Sequence, residues 1–369
     1  MSRIRTGAAF TLVEVLVSVA ILILLIVLLA SMTNMTASVW KNTGAKVDQF
    51  RAARIAFESL TDHLSQATLN TYWDYQYPNN IPTQPPTAYI RQSELRFISG
   101  QALTLTGSAS IPTHACFFQA KLGFILPSGT NGAPDYTGLP NLLNTLGYYV
   151  AFGSDATLRP SFVNAPQRYR FRLMEVMQSA DALTLYNYTS GTDSNGHPLN
   201  NSYMGHEWFT TMLSAGNASH VLAENVLALV LLPRLSPQAD QTGNLLAPQY
   251  SYDSTSVGQG AGGNGNLDSK NQLPPVVQVT IVVADEASYG RYQSAQGNNN
   301  MPAALLQNSS GQLLFQTVGD ITPTNSGSAG YANDLQTLQN NLVAAKINYR
   351  VFTTNVSIRG AQWSRVQTD

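Results

Sequence analysis

Residues 6–32 read TGAAFTLVEVLVSVAILILLIVLLASM, a stretch that is apolar over the length of a membrane span except near its start. From Phe10 to Ala30 the only polar side chains are those of Thr11, Glu14 and Ser18. A helix over this range extends for roughly 31 Å, which matches the hydrocarbon thickness of a bilayer. The stretch therefore predicts a membrane-crossing helix, and the carboxylate of Glu14 needs an explanation.

The residues before this stretch predict its orientation. Arg3 and Arg5 precede the apolar run, and no acidic residue does. Positive charge is retained on the cytoplasmic side of a membrane. We therefore expect a single-pass protein of the inner membrane, with a cytoplasmic N-terminus and a periplasmic head.

Three interpretations of the apolar run compete. A secretory signal peptide usually has a shorter apolar region, of about 7–15 residues. An ordinary signal anchor would carry Glu14 at a cost of about 2.5–3.5 kcal/mol on insertion scales, less near the membrane end. The third interpretation has to provide a partner for the carboxylate, because a buried charge is tolerated when it is paired.

The third interpretation follows from a motif. Read from Phe10, the sequence FTLVE followed by VLVSVAIL resembles the class III signal of type IV prepilins and pseudopilins. The resemblance implies that a prepilin peptidase and methylase removes a leader, residues 1–9, between Ala9 and Phe10 and methylates the new amine of Phe10. It also implies that Glu14 pairs with this amine on a neighbouring subunit during assembly. The family usually has Gly where this chain has Ala9, and a cut after Gly7 is the alternative.

Two further resemblances concern the rest of the chain. The segment VDQFRAARIAFESLTDHLSQATL is similar in style to J-type minor pseudopilins of type II secretion and to W-type minor pilins. The segments LAENVLALVLLPR, LPPVVQVTIVVADEAS and AAKINYRVFTTNVSIRGAQWS resemble the Verru_Chthon cassette protein C family. These resemblances imply an envelope pseudopilin that works beside other pilin-like subunits, and they imply no enzymatic activity.

An amphipathic stem is predicted to follow the membrane helix. Residues 10–31 form the transmembrane and assembly helix, and residues 32–70 form the stem, with Gly44 as a soft point. In the stem, apolar residues recur at steps of three and four, a helical period. They are Val47, Phe50, Ala53, Phe57, Leu60, Leu64 and Ala67.

Residues 71–369 are predicted to form an extracytoplasmic head of mixed α+β class. Helix and strand patterns mix without regular βαβ alternation, which favours a largely antiparallel sheet onto which the stem packs. We expect a hairpin in ELRFISGQALTLTG, a short cap followed by a buried strand ending near Pro233, a buried strand from Val276 to Ala284, and a helix and strand near the C-terminus. The Gly-rich segment 238–272 is expected to be a long mobile loop inserted in the fold.

One predicted strand has an unusual charge pattern. In residues 168–178, Arg168, Arg170 and Arg172 alternate with apolar residues. Alternate residues of a strand point to opposite faces. The pattern predicts a solvated cationic face, with an anionic partner as the alternative.

No constellation in the sequence predicts catalysis, a metal or a cofactor. The five histidines, His63, His114, His197, His206 and His220, have no metal-ligand spacing. The segment TDSNGHP, with Asp193, Asn195 and Gly196, lacks the far acidic residue of a calcium loop, so a turn is the better interpretation. His206 and Glu207 lack a third ligand.

Three other residues also have plain structural interpretations. Cys116 is expected to be an inert core residue, since its neighbours in HACFF are apolar. His114, two residues earlier, would form a thiol–imidazole pair with it only by accident. Asp285 and Glu286 stand at a predicted strand end, where successive side chains diverge and solvent is expected.

The overall charge of the chain gives no indication of a nucleic-acid partner. The chain has 20 Lys and Arg and 21 Asp and Glu, for a formal net charge of −1. A nucleic-acid partner would call for a basic face, and none is expected. The function that the prepilin and pseudopilin resemblances imply is a minor structural subunit that helps to initiate or tip a pseudopilus, which could become part of a cell-envelope filament. The alternative is a membrane-tethered binding module that does not polymerise, and an enzyme on a pilin-type anchor ranks last.

Overall fold

A computed structural model of the chain describes residues 11–108, 113–122, 141–156, 158–160, 162–180, 183, 209, 213, 219–240, 245–256, 267–297, 300–316 and 330–364. The chain divides into two compact units, Met1–Gln49 and Phe50–Asp369.

Helix α1 is a single α-helix from Leu12 to Ser65. At its start, the backbone N–H of Glu14 donates to Oγ1 of Thr11 over 3.3 Å, the arrangement by which Thr caps a helix. The helix continues through Gly44 without a break. The prediction that one helix joins the apolar segment to the amphipathic segment is confirmed.

In the first unit, the apolar side chains of α1 are exposed. Leu16 and Leu24, for example, are 61% and 60% exposed. In the described part of the chain, α1 is the one helix that is long and apolar enough to cross a membrane.

In the second unit, the last part of α1 carries a buried stripe. Ala53, Leu60 and Leu64 are fully buried, and Phe57 is nearly so. The stripe has the spacing that the sequence predicted. Burying each large apolar side chain contributes roughly 1.5–3 kcal/mol to folding.

The remaining elements of the described residues follow in chain order. The other helices are α2 (Ala102–Thr106), α3 (Glu286–Gln296) and α4 (Tyr331–Ala344), with short 3-10 turns at Pro78–Asn80 and Ala303–Leu306. The strands are β1 (Tyr72–Gln76), β2 (Ala88–Gln92), β3 (Ile98–Gln101), β4 (His114–Lys121), β5 (Leu143–Ser154), β6 (Tyr169–Gln178), β7 (Ser219–Glu224), β8 (Val226–Arg234), β9 (Tyr252–Asp253), β10 (Val276–Ala284) and β11 (Tyr349–Ser357).

The strands form antiparallel sheets in the described residues. A six-stranded sheet has the order β7-β6-β5-β4-β3-β9, a three-stranded sheet has the order β11-β10-β8, and β1 pairs with β2. Every one of these pairs is antiparallel. With the helices, this arrangement confirms the α+β class and the antiparallel prediction.

Several predicted elements lie where the sequence placed them. Strand β10 has the predicted bounds, Val276–Ala284, and is buried along almost its whole length. Strand β8 ends at Arg234, next to the expected Pro233. Helix α4 and strand β11 are the helix and strand expected near the C-terminus, and α4 buries Leu338 and Leu342.

Two local predictions were wrong. The expected hairpin around residues 99–102 is instead strand β3 followed by α2, and β3 pairs with β4 and β9. Gly107, at a φ of 68°, ends α2 in the left-handed conformation that glycine adopts without strain. The expected cap at residues 219–224 is strand β7, and Asn225, with a φ of 59°, links it to β8.

The Gly-rich segment also differs from its prediction at its described ends. Residues 241–244 and 257–266 lie outside the described residues. Between these two gaps, Leu246, Tyr250 and Tyr252 are fully buried. Strand β9 extends the six-stranded sheet. The described part of this segment therefore belongs to the core and is not a detached insertion.

Candidate functional site

Glu14 lies in the first turn of α1, and its side chain is exposed. It is the only ionisable residue from Leu12 to Trp40. A carboxylate near a helix N-terminus is stabilised by the helix dipole by roughly 0.3–1 kcal/mol. That contribution is smaller than the cost of placing a charge in hydrocarbon.

Three hydroxyl groups of the same helix form hydrogen bonds within it. Ser18, Thr33 and Thr36 each donate to the carbonyl oxygen four residues earlier, over 2.7–2.8 Å. Such a bond lets a hydroxyl lie in an apolar environment without an outside partner. Glu14 differs because it carries a full charge, which the N–H groups and the dipole at the helix start offset only in part.

Some predicted residues lie outside the described part of the chain. These are Ala9 and Phe10 at the expected cleavage site, and His197, His206, Glu207, Asp193, Asn195 and Gly196 in the loop candidates. Among the residues that the structure describes, no group of three or more His, Cys, Asp or Glu side chains is arranged to hold a metal ion.

The prediction of a solvated cationic face holds for Arg168, which is exposed, and was wrong for the two arginines within β6. Arg170 and Arg172 are 8% and 3% exposed. Arg170 donates through both terminal nitrogens to Glu286, and it also contacts Glu224 at 3.2 Å. Arg172 lies 3.7 Å from Glu224 and donates to the carbonyl of Gly153. The charges of this face are compensated inside the fold, as buried charges require.

The adjacent carboxylates of Asp285 and Glu286, after β10, diverge as predicted. Both form hydrogen bonds within the protein, where solvent contact was expected. Asp285 is 1% exposed, and its Oδ2 accepts from the backbone N–H of Ser288 at 3.1 Å. It is the N-cap of α3. Glu286 turns towards Arg170 and also accepts from Asn225 at 2.6 Å. Neither geometry brings the two carboxylates together for acid–base chemistry.

Cys116 is a buried core residue, as predicted. Burial raises the pKa of its thiol to about 12, so thiolate is scarce at neutral pH. His114 does not pair with it. Its Nδ1 accepts from the backbone N–H of Leu231, and its Nε2–H donates to the carbonyl of Phe315, each over 3.0 Å.

The burial of His114 predicts a pH-dependent stability. Burial lowers the pKa of His114 to about 4 despite these two hydrogen bonds, whereas an unfolded histidine has a pKa of about 6.5. As the pH falls below 6.5 the unfolded state takes up the proton first, so stability is lost between pH 6.5 and pH 4. We expect a loss of about 2 kcal/mol from pH 7 to pH 5 through this residue.

Urea unfolding of the full chain in detergent at pH 7 and pH 5 measures this loss. His114→Gln should be less pH-sensitive than the wild type by about 2 kcal/mol. Equal losses in the wild type and in His114→Gln would contradict the assignment.

A second histidine joins three elements of the second unit. Nδ1 of His63, on α1, lies 2.6 Å from the hydroxyl of Tyr148, which donates to Oε1 of Glu175 over 2.6 Å. Burial acts to raise the pKa of Glu175, but hydrogen bonds from His63 and Tyr148 outweigh it, so the pKa is below its ordinary value. The hydrogen bonds among His63, Tyr148 and Glu175 stabilise the contact of His63 with β5 and β6.

A groove in the second unit is the main feature that sequence reasoning missed. Its volume is about 540 Å³, within the usual range of ligand sites. Five segments build it: the turn after α1, the β1–β2 hairpin, the end of β4, the loop before β10 and the chain after β11. Among its lining residues are Trp73, Arg91, Lys121, Asn271, Gln272 and Trp363.

Hydrogen bonds to backbone groups hold the walls of this groove together. Nδ2 of Asn271 donates to the carbonyl of Arg91 over 2.7 Å. Gln272 donates to the carbonyl of Ser364 and accepts from its N–H, at 2.9 and 2.8 Å. Arg359 N–H donates to the carbonyl of Ser65. The groove is therefore formed within the folded chain and needs no ligand to define it.

The sequence contains a signal for this groove that could have been recognised. The segment TYWDYQYP concentrates aromatic residues in a predicted strand region. Trp73, Tyr75 and Tyr89 are 51%, 47% and 52% exposed. Exposed aromatic side chains in one strand pair are more informative than buried ones, because burial alone accounts for most aromatic residues.

Comparison with protein-family models, with curated proteins and with solved structures found no significant match to the chain. The functional argument therefore depends on the residues themselves.

Proposed function

We propose that the protein is a pilin-like minor structural subunit, anchored in the inner membrane, that helps to initiate or tip a pseudopilus or related filament. The observation that carries the proposal is Glu14, a lone carboxylate exposed at the start of an apolar helix. A charge costs about 2.5–3.5 kcal/mol at the centre of a membrane helix, and less near the membrane end where Glu14 lies. A chain that retains it gains from a partner of opposite charge.

The partner in this proposal is the amine of Phe10 on a neighbouring subunit. Cleavage between Ala9 and Phe10 would create that amine, and methylation would preserve its positive charge. The apolar surface of α1 would then pack against equivalent helices, with Glu14 setting their register. Internally bonded hydroxyls such as Ser18 suit the same environment.

The second unit supports the proposal in a different way. The buried stripe of α1, centred on Leu60 and Leu64, belongs to the same core as the antiparallel strands. The ring of Phe57 lies 6.1 Å from that of Phe352 on β11. A pilin-like subunit would be expected to bury this part of its stem helix against its own α+β head. The assignment to an initiating or tip position comes from the resemblance to J-type minor pseudopilins.

Mass spectrometry of the protein from its native membrane tests the proposal. We expect a mature chain that begins at N-methylated Phe10, seen both in the intact mass and in the N-terminal peptide. A chain that retains its leader, or one cut beyond Ala30, would contradict it. In the first case Glu14 would lack its amine, and in the second the protein would be free of the membrane.

The groove favours a second candidate function, a membrane-tethered binding module that does not polymerise. Its volume and its aromatic and amide lining are those of a ligand site. This function requires no contact at Glu14. The assembly state of a Glu14 variant therefore distinguishes the two candidates.

A further inference from the structure

Aromatic side chains on the β1–β2 hairpin form a strip next to the groove, made of Trp73, Tyr75 and Tyr89. Trp73 is paired with Arg91 across the hairpin, and Tyr75 with Tyr89. Directly opposed residues lie on the same face of a strand pair, so these four side chains share one face. The rings of Tyr75 and Tyr89 are 5.0 Å apart, and Tyr77 follows at 6.2 Å from Tyr75.

The strip and the groove meet at Trp73. This ring lines the groove, and the Arg91 guanidinium lies over it at 5.8 Å from the ring centre. The Arg91 side chain is 7% exposed, so the contact holds the ring in place while its other face remains accessible. The Tyr72 hydroxyl donates to Glu94 over 2.9 Å, which orients a second lining ring.

The charged residues that line the groove are all of one sign. Among the described residues that line it, Arg91 and Lys121 are cationic and none is acidic. The other polar members are amides and hydroxyls: Thr68, Asn70, Thr71, Asn271, Gln272, Gln362 and Ser364. Amides both donate and accept hydrogen bonds, which suits a ligand rich in hydroxyl groups.

We propose that the groove and the aromatic strip bind an acidic polysaccharide. The aromatic faces of Trp73, Tyr75 and Tyr89 would stack on the apolar faces of successive sugar rings, because an aromatic ring offers a large apolar surface with little rotamer entropy. The amides would bind the hydroxyls, and the exposed Lys121 would attract a sugar carboxylate.

A single-stranded nucleic acid is the competing ligand for aromatic rings beside cations. Such a strand carries a phosphate at every nucleotide and calls for a row of cations along the groove. Here the described lining provides two, in a chain of net charge −1. The observations therefore favour the polysaccharide, in which acidic groups can be sparse.

Isothermal titration of the full-length protein in detergent micelles tests the proposal with three probes. They are tetragalacturonate, the neutral maltotetraose, and an oligonucleotide of eight deoxythymidines. We expect tetragalacturonate to bind at least about tenfold more tightly than either of the others. Trp73→Ala should weaken it by about tenfold, a loss typical of removing an aromatic side chain that the ligand covers.

Two further variants make the test specific. Lys121→Gln removes a surface cation and should weaken tetragalacturonate severalfold while leaving maltotetraose unchanged. Phe162→Ala is the matched control, since Phe162 is 83% exposed and does not line the groove, and it should bind like the wild type. Melting temperatures confirm that each variant is folded.

The proposal is overturned if the wild type does not bind tetragalacturonate, if maltotetraose or the oligonucleotide binds as tightly, or if Trp73→Ala and Lys121→Gln bind like the wild type. The titration uses the isolated subunit, so its result does not depend on whether the protein assembles through Glu14.

Discussion

Glu14→Ala should remove the protein from sheared or pelleted pilus-like assemblies while leaving it in the membrane. The variant lacks the carboxylate that would neutralise the Phe10 amine of a neighbour, and an unpaired charge buried between helices costs several kcal/mol. We expect the assembled fraction to fall by at least about tenfold, which corresponds to 1.4 kcal/mol. Immunoblots of the assembled and membrane fractions measure it.

The same substitution should make membrane insertion easier, not harder. Removing a charge from an apolar helix lowers the insertion free energy, by up to about 2.5–3.5 kcal/mol. The membrane fraction of Glu14→Ala should therefore equal or exceed that of the wild type. Loss of the protein from both fractions would point to degradation and would have to be excluded first, by the total amount in the cell.

Two controls define the role of Glu14. Glu14→Gln keeps the size and loses the charge, so it should fail to assemble as Glu14→Ala does. Ser18→Ala, one turn further along, removes only a hydroxyl that bonds to its own helix, and it should assemble normally. If Glu14→Ala assembles like the wild type, the polymerising function is wrong, and the tethered binding module becomes the better explanation.

Gly147→Ala should destabilise the second unit by about 3 kcal/mol, near the upper end of the usual cost of overpacking. Gly147 on β5 is paired with Phe117 on β4. A Cβ at position 147 would lie 2.3 Å from Cδ1 of Phe117. That ring is fully buried and stacks on Phe209 at a centroid distance of 4.5 Å, so it cannot move aside without displacing other core atoms.

Gly153 in the same strand provides a matched control. No atom lies within 4 Å of a Cβ placed at Gly153. Gly153→Ala should therefore be neutral or slightly stabilising, since alanine loses less conformational freedom on folding than glycine. Thermal unfolding in detergent should show a fall of roughly 5–10 °C for Gly147→Ala alone.

A double variant tests the cause of the Gly147 effect. Combining Gly147→Ala with Phe117→Leu removes the ring that the new methyl group would meet. The combined destabilisation should then be smaller than the sum of the two single effects, a coupling that neighbours in contact show. Strictly additive effects, or equal melting temperatures for Gly147→Ala and Gly153→Ala, would show that the ring is not the cause.

Much of the secondary structure could be predicted because its signal is local. Helix α1, strand β10 and helix α4 have long and strongly periodic patterns, and the structure places them close to where the patterns indicated. The wrong predictions fall on short segments. Residues 102–106 alternate like a strand but form a helix of one turn, since a five-residue pattern does not decide between the two.

The arginine face of β6 shows what a local pattern cannot determine. Alternation placed Arg170 and Arg172 on one face, which was correct, and solvent was the expected environment. Their partners are Glu224, from the neighbouring strand, and Glu286, which is 116 residues away from Arg170 in sequence. Whether an arginine meets water or a carboxylate depends on which distant segments the fold brings to it.

By itself, the sequence determined the apolar helix with its single carboxylate, the helical and strand periods, and the inert character expected of Cys116. Each depends on the order of neighbouring side chains, because helices repeat every 3.6 residues and strands every two. Only the tertiary structure decided the ion pairs of β6, the burial of His114 and the groove lined by residues from Thr68 to Ser364. These features depend on the pairing of segments far apart in the chain, whose contacts form only when the whole core packs.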